Sequence, residues 1–216
     1  MGKFKRYFEQ VDAAARDLFA QYDKAAKDMK GAKDLFDAYP EQHGHVTAEY
    51  LAKRAQAQAD YYKAKEIFDK LRKAMPDHEA DVARIRRELA DEIARTNMAR
   101  PSDVDMQTLE LIKAGVLTGA EYARLIGEMR DAGNPTMIRI LGKYASEAAA
   151  ACAEYNGQND SEARALRLAA HMAQTETGAV TLHNFDVVAD AFKRTMRNPA
   201  MMGAWDELTG DIVRTA

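Results

Sequence analysis

Residues 3–40 have the sequence KFKRYFEQVDAAARDLFAQYDKAAKDMKGAKDLFDAYP. Uncharged residues recur in it at alternating intervals of four and three, whereas many of the residues between them are charged: Phe4, Phe8, Val11, Ala15, Leu18, Tyr22, Ala25, Met29, Ala32, Phe36 and Tyr39. This heptad spacing is typical of a helix that packs one stripe of side chains against another helix. The stretch therefore predicts a long helix ended by Pro40, and its pattern specifies packing without chemistry.

A second helix is predicted after a loop over residues 40–46. Thr47 is a suitable N-cap, and Pro76 is expected to end the helix because proline lacks the N–H that a helix interior uses. Its apolar stripe consists of Tyr50, Ala57, Tyr61, Ala64, Phe68, Leu71 and Met75. Two long helices joined by a short loop form an antiparallel hairpin, and the heptads predict a coiled coil. A third helix is predicted from Pro76 to Asn97.

The helices predicted after Pro101 are shorter and have clear start and stop signals. Thr118 with Glu121 has the spacing of a capping box, and Asn134 before Pro135 is a typical helix start. No stretch has the alternation that a β-strand requires. The sequence therefore predicts an all-α protein with two domains: a coiled-coil hairpin with a third helix over residues 1–100, and a compact bundle of short helices over residues 101–216.

The first helix is predicted to be longer than the second by roughly 10 Å. An antiparallel partner of that length leaves Phe4, Tyr7 and Phe8 uncovered. Burying each of these side chains stabilises by roughly 1.5–3 kcal/mol, so we expect them to contact either the C-terminal half or a second chain. The second alternative predicts a homo-oligomer, or a complex with another helical protein.

Composition excludes several classes of protein. Residues 1–100 carry 20 basic and 18 acidic side chains, and residues 101–216 carry 11 and 16, so neither half has the basic excess of a nucleic-acid-binding domain. No uncharged apolar run approaches the ~20 residues that cross a bilayer, so no membrane association is predicted. Cys152 is the only cysteine, which excludes an intrachain disulfide and favours a reducing, cytoplasmic location.

The histidine pair in the hairpin loop is the one candidate metal site. His43 and His45 could help to hold a divalent metal ion, but two ligands do not complete a site, and a solvated turn is the favoured explanation. No phosphate loop, dinucleotide fingerprint or presented nucleophile occurs. The sequence therefore predicts no catalytic residue and no cofactor. A metal protein or enzyme that uses this loop is kept as an alternative.

The segment from Asn198 to Trp205 concentrates two methionines, Met201 and Met202, beside the only tryptophan. Methionine and tryptophan are favoured at adaptable contact surfaces. One interpretation is that the segment packs back onto the helical core. The other is that Met201, Met202 and Trp205 bind a partner, which would make the protein an adaptor or regulatory module.

Three short runs resemble helical proteins encoded in the structural gene modules of tailed bacteriophages and prophages. They are Leu111-Ile112-Lys113-Ala114-Gly115-Val116-Leu117-Thr118 with Glu121-Tyr122, Asn134-Pro135-Thr136-Met137, and Gly142-Lys143-Tyr144. The resemblance covers residues 1–145 and transfers no catalytic residue. It implies a virion, assembly or morphogenesis role in the host cytoplasm. Together with the heptads it predicts a non-enzymatic structural or assembly protein that self-associates.

Overall fold

The computed structural model describes residues 4–42, 44 and 46–215, except for the side chains of residues 199, 200, 214 and 215. This part of the chain contains eight α-helices and no strand: α1 Lys5–Asp37, α2 Ala48–Thr96, α3 Met106–Lys113, α4 Gly119–Asp131, α5 Pro135–Asn156, α6 Ser161–Glu176, α7 Ala179–Arg197 and α8 Trp205–Thr215. The predicted all-α class is confirmed. Within the described residues, no helix has both the length and the apolar character needed to cross a bilayer.

The predicted break at Pro76 is wrong, because α2 continues through it to Thr96. Proline in a helix interior removes one hydrogen bond and costs about 3 kcal/mol. Pro76 is exposed, as is Arg72, so the Arg72 carbonyl that loses its helical partner can accept a hydrogen bond from water. The apolar stripe continues beyond the proline through Val82, Ile85 and Leu89, which are buried. Packing of this stripe keeps the helix continuous, so no separate third helix forms.

The contacts within the chain divide it at places other than residue 100. The chain divides into one unit of residues 1–85 with 187–216, and a second unit of residues 86–186. The C-terminal residues belong to the first unit because α8 and the end of α7 pack against α1, where Phe192 stacks on Phe19 with ring centroids 5.8 Å apart. Contacts of this kind join residues far apart in sequence and leave no local signal at residue 100.

In the first unit, aromatic rings of α1, or of the residues just after it, meet aromatic rings of α2 at three places. Centroids are 5.0 Å apart for Tyr22 and Phe68, 5.9 Å for Phe36 and Tyr61, and 5.5 Å for Tyr39 and Tyr50. Residue numbers rise along one helix as they fall along the other, so the two helices run in opposite directions. The turn between them is held where the Tyr50 hydroxyl donates to the Pro40 carbonyl at 2.7 Å.

The second unit is built around α4, α5 and α6, which contact one another. The predicted capping box is confirmed: Thr118 accepts from the Glu121 N–H at 3.4 Å, and the Glu121 carboxylate accepts from the Thr118 N–H at 2.8 Å. Asn134 caps α5 by accepting from the Met137 N–H at 2.9 Å. The core combines large side chains with small ones that let helices approach closely: Ile126, Met137, Leu141, Leu166, Ala145, Ala149, Ala169 and Ala173.

Two helical glycines should respond in opposite ways to replacement by alanine. At Gly142 an added Cβ would lie 2.5 Å from the Cβ of Ala173, whereas at Gly31 nothing lies within 4 Å of one. We expect Gly142→Ala to lower the free energy of unfolding by about 1–3 kcal/mol through overpacking. Gly31→Ala should raise it by about 0.5–1 kcal/mol, because alanine restricts the unfolded chain. Urea unfolding followed by circular dichroism measures both, and equal effects would contradict the close α5–α6 packing.

Candidate functional site

The N-terminal aromatic side chains that the sequence left uncovered are buried by the chain itself. Phe8 is 0% exposed, and Phe4 and Tyr7 are also buried. Of the two alternatives, contact within the chain therefore accounts for their burial without a second copy. These three residues are not an accessible interaction surface, and self-association cannot be argued from their exposure.

Trp205 is likewise buried, with 3% of its surface exposed. Its indole Nε1 donates to the Asp12 carboxylate at 2.8 Å, and its ring stands edge-on to Phe19 at 5.5 Å. The C-terminal segment thus packs back onto the helical core, as one of the two interpretations predicted. Trp205 fixes α8 against α1 and is not available to a partner, which corrects its assignment as an interaction residue.

A charged cluster at the surface borders this aromatic contact. Asp12 accepts from the Arg16 Nε at 2.8 Å, and the same guanidinium donates to Asp206 at the start of α8. Asp12 and Asp206 hold the pKa of Arg16 above its usual value, with the hydrogen bond to Asp12 the larger cause. Because Arg16 is half-exposed, solvent screens these pairs and they add little to stability. The hydrogen bond from Arg16 to Asp206 joins α1 to the start of α8.

Met201 and Met202 are only half-buried. Met202 and Gly203 line a groove of about 660 Å³ along α1 that ends at Ala26. Four of the six predicted interaction residues are therefore buried: Phe4, Tyr7, Phe8 and Trp205. The two methionines remain partly accessible.

The thiol of Cys152 is half-buried in the second unit and donates to the Asp160 carboxylate at 3.2 Å. This hydrogen bond is the main cause that raises the pKa of Cys152, and burial adds to it. A nucleophilic cysteine needs a lowered pKa, so the surroundings of Cys152 suppress its thiolate. Asp160 also caps α6 through the N–H groups of Glu162 and Ala163.

A groove of about 570 Å³ between α5 and α6 has a floor of alanines and polar walls. Arg167 lies in one wall and donates to the carbonyl and the side-chain oxygen of Gln158, at 3.0 and 2.6 Å. His171 and Glu154 also line the groove. The carboxylate of Glu154 opposes the positive charge of Arg167, so the groove favours neither an anion nor a cation.

His43 and His45 lie outside the described residues, so the alternative of a metal site in this loop stays untested. Elsewhere in the described chain, no group of three or more His, Cys, Asp or Glu side chains is placed to hold a metal ion.

Much of the accessible apolar surface of the first unit lies on the paired helices between Ala26 and Met75, which we call the arm. Among the described residues of the arm only Ala57 is buried, and the remaining seam side chains, such as Phe36 and Phe68, are half-exposed or exposed. Leu35, 50% exposed, and Ile67, 49% exposed, lie beside the seam. Neither residue belongs to the heptad stripe, so the stripe alone did not predict their exposure. The signal that could have found them is an apolar residue directly next to a heptad position.

We expect Trp205→Ala to lower the free energy of unfolding by about 3–5 kcal/mol, because it removes a buried ring and leaves a cavity beside Phe19. Urea unfolding followed by circular dichroism gives the value. Tyr155→Ala, at a side chain that is 92% exposed, is the matched control and should change stability by less than about 0.5 kcal/mol. Equal stability of the two variants would contradict the burial of Trp205.

Asp160→Asn should lower the pKa of Cys152, because the carboxylate that favours the protonated thiol is replaced by a neutral amide. Asparagine caps helices as well as aspartate does, so α6 should remain folded. The pH dependence of the reaction with iodoacetamide reports the change: the variant should react at lower pH than the wild-type protein. Identical profiles would show that Asp160 does not control the thiol.

Comparison with protein-family models, with curated proteins and with solved structures found no match to this chain.

Proposed function

We propose that this protein is a non-enzymatic structural or assembly protein that acts through helix–helix contacts and self-associates through its arm. The observation that carries the proposal is the exposure of the arm's apolar seam, in which only Ala57 is buried among the described residues. At the other end of α1 the seam residues Phe8, Val11 and Ala15 are fully buried. The same heptad pattern is thus covered at one end of the helix and open at the other.

Two helices cannot by themselves enclose a wide apolar stripe. Each helix covers one side of its neighbour, so ring faces of Tyr22, Phe36, Tyr61 and Phe68 keep contact with water. Full burial of such a side chain stabilises by roughly 1.5–3 kcal/mol, and the exposed portions keep part of this free energy available for association. Contiguous apolar surface on a folded unit commonly marks an interaction site.

We further propose that α1 and residues 48–75 form an antiparallel coiled-coil hairpin. The heptad spacing of both stripes supports this geometry, and so do the three ring contacts along the two helices. A hairpin of this kind presents two open sides, each of which can take a further helical pair.

The resemblance to bacteriophage structural modules supports a role in virion assembly or morphogenesis, within a host cytoplasm or in the virion. The single cysteine suits a reducing compartment. An adaptor role for the C-terminal segment has less support, since Trp205 is occupied by Asp12 and Phe19.

We expect the full-length protein to be a dimer or larger oligomer at tens of micromolar and to dissociate on dilution. Sedimentation equilibrium over a range of concentrations measures this. Tyr155→Ser, which removes a 92% exposed aromatic ring from α5, outside the arm, serves as the control for non-specific association and should leave the molar mass unchanged. A monomer at every concentration would overturn the proposed function.

A further inference from the structure

Trp205 lies over two aromatic rings that already pack against each other. Phe19 of α1 stacks on Phe192 of α7 with ring centroids 5.8 Å apart. The Trp205 ring stands edge-on to both of them, with centroid distances of 5.5 Å to Phe19 and 6.3 Å to Phe192. The stacked pair joins α1 to α7 through their own side chains, so it does not need α8 in order to form.

The attachment of α8 is concentrated near its start. Among the residues of α8 whose side chains are described, Trp205 and Thr209 are the two that are buried. The Thr209 hydroxyl donates to the Trp205 carbonyl at 2.8 Å, so this hydrogen bond stays within α8. Leu208 is 39% exposed, and Ile212 and Val213 are half-buried. The apolar packing of α8 on the first unit therefore depends chiefly on one indole ring.

The polar groups around this indole are in contact with water. The Trp205 Nε1 donates to Asp12 at 2.8 Å, and Arg16, which pairs with Asp206, is half-exposed. An exposed ion pair loses little free energy when its partners separate, because water takes the place of each partner. Departure of α8 exposes these groups to water and does not bury any of them unpaired, so they oppose it only weakly.

The segment that joins α7 to α8 is a weak form of helix. Pro199–Ala204 is a 3₁₀-helix of six residues. Helices of this type have poor hydrogen-bond geometry and seldom exceed about four residues. Pro199 contributes no N–H, and a Cβ added at Gly203 would meet nothing within 4 Å, so the backbone there is not closely packed. The segment can change its backbone angles at low cost and serve as a hinge.

An open groove adjoins the rings that Trp205 covers. The groove has a volume of about 660 Å³, and Phe19 belongs to its lining. Met202 and Gly203 of the 3₁₀ segment also line it, opposite Tyr22 and Ala26 of α1. Movement of this segment widens the groove, and movement of Trp205 uncovers the ring of Phe19. The C-terminal segment therefore limits how much apolar surface of α1 is accessible.

We propose that α8 is a hinged cover, which detaches as a unit through Pro199–Ala204 while the rest of the first unit stays folded, and which exposes the Phe19–Phe192 pair when it opens. Segments held by few buried contacts open at a lower free energy than global unfolding requires. In the closed form the chain blocks an aromatic site with its own last helix, which is an autoinhibitory contact. This site lies outside the arm, so the cover and the proposed self-association can fail independently.

Hydrogen exchange in the full-length protein, followed by mass spectrometry at increasing urea below the unfolding transition, tests the local opening. Amides of residues 209–213 should be protected at least about tenfold less than those of residues 11–19. Their exchange should depend little on urea, because opening of one short helix exposes little surface, whereas exchange in residues 11–19 should rise steeply. Equal protection, or the same dependence on urea, would overturn the proposal.

Fraying of α8 from its C-terminal end would also lower protection, and Trp205→Phe separates fraying from opening. The variant keeps an aromatic ring against Phe19 but removes the N–H that bonds to Asp12. Opening of the whole helix breaks that hydrogen bond, so exchange in residues 209–213 should become about tenfold faster in the variant. Fraying leaves the first turn attached, so a rate within about twofold of wild type would contradict the hinged cover.

Tyr155→Phe, at a ring of α5 that is 92% exposed, is the matched control for Trp205→Phe. It should leave exchange in residues 209–213 within about twofold of wild type, because the exposed hydroxyl that it removes lies in the second unit. Circular dichroism confirms that both variants are folded.

Discussion

The apolar seam along α1 is too wide to be covered by one neighbouring helix, and the packing of the first unit depends on which other segments cover it. Near the N-terminus other parts of the same chain cover the seam, so that Phe8, Val11 and Ala15 are fully buried. Toward the loop the seam remains open, because Ala57 alone is buried among the described residues of the arm. A single sequence pattern thus produces a stable core at one end and an accessible surface at the other. The difference comes from which other segments reach each end.

Local features of the helices were predictable from the sequence because they depend on residues three or four apart. The capping box of α4 formed where Thr118 and Glu121 indicated, and the proline start of α5 formed where Asn134 indicated. The prediction at Pro76 was wrong because packing of the buried stripe that follows it, at Val82, Ile85 and Leu89, outweighs the local cost of the proline. Where a continuous apolar face can be packed, the free energy of packing exceeds the loss of one hydrogen bond.

The interaction surface was harder to predict, since burial depends on residues distant in sequence. Trp205 and Asp12 are 193 residues apart, and nothing in either neighbourhood indicates their hydrogen bond. The six residues chosen from the sequence were the most apolar at the two ends of the chain, and the ends pack inward. Leu35 and Ile67 are single apolar residues near charged ones. In most helices a single exposed apolar residue does not indicate an interaction surface. They become informative only because the seam beside them is itself partly exposed.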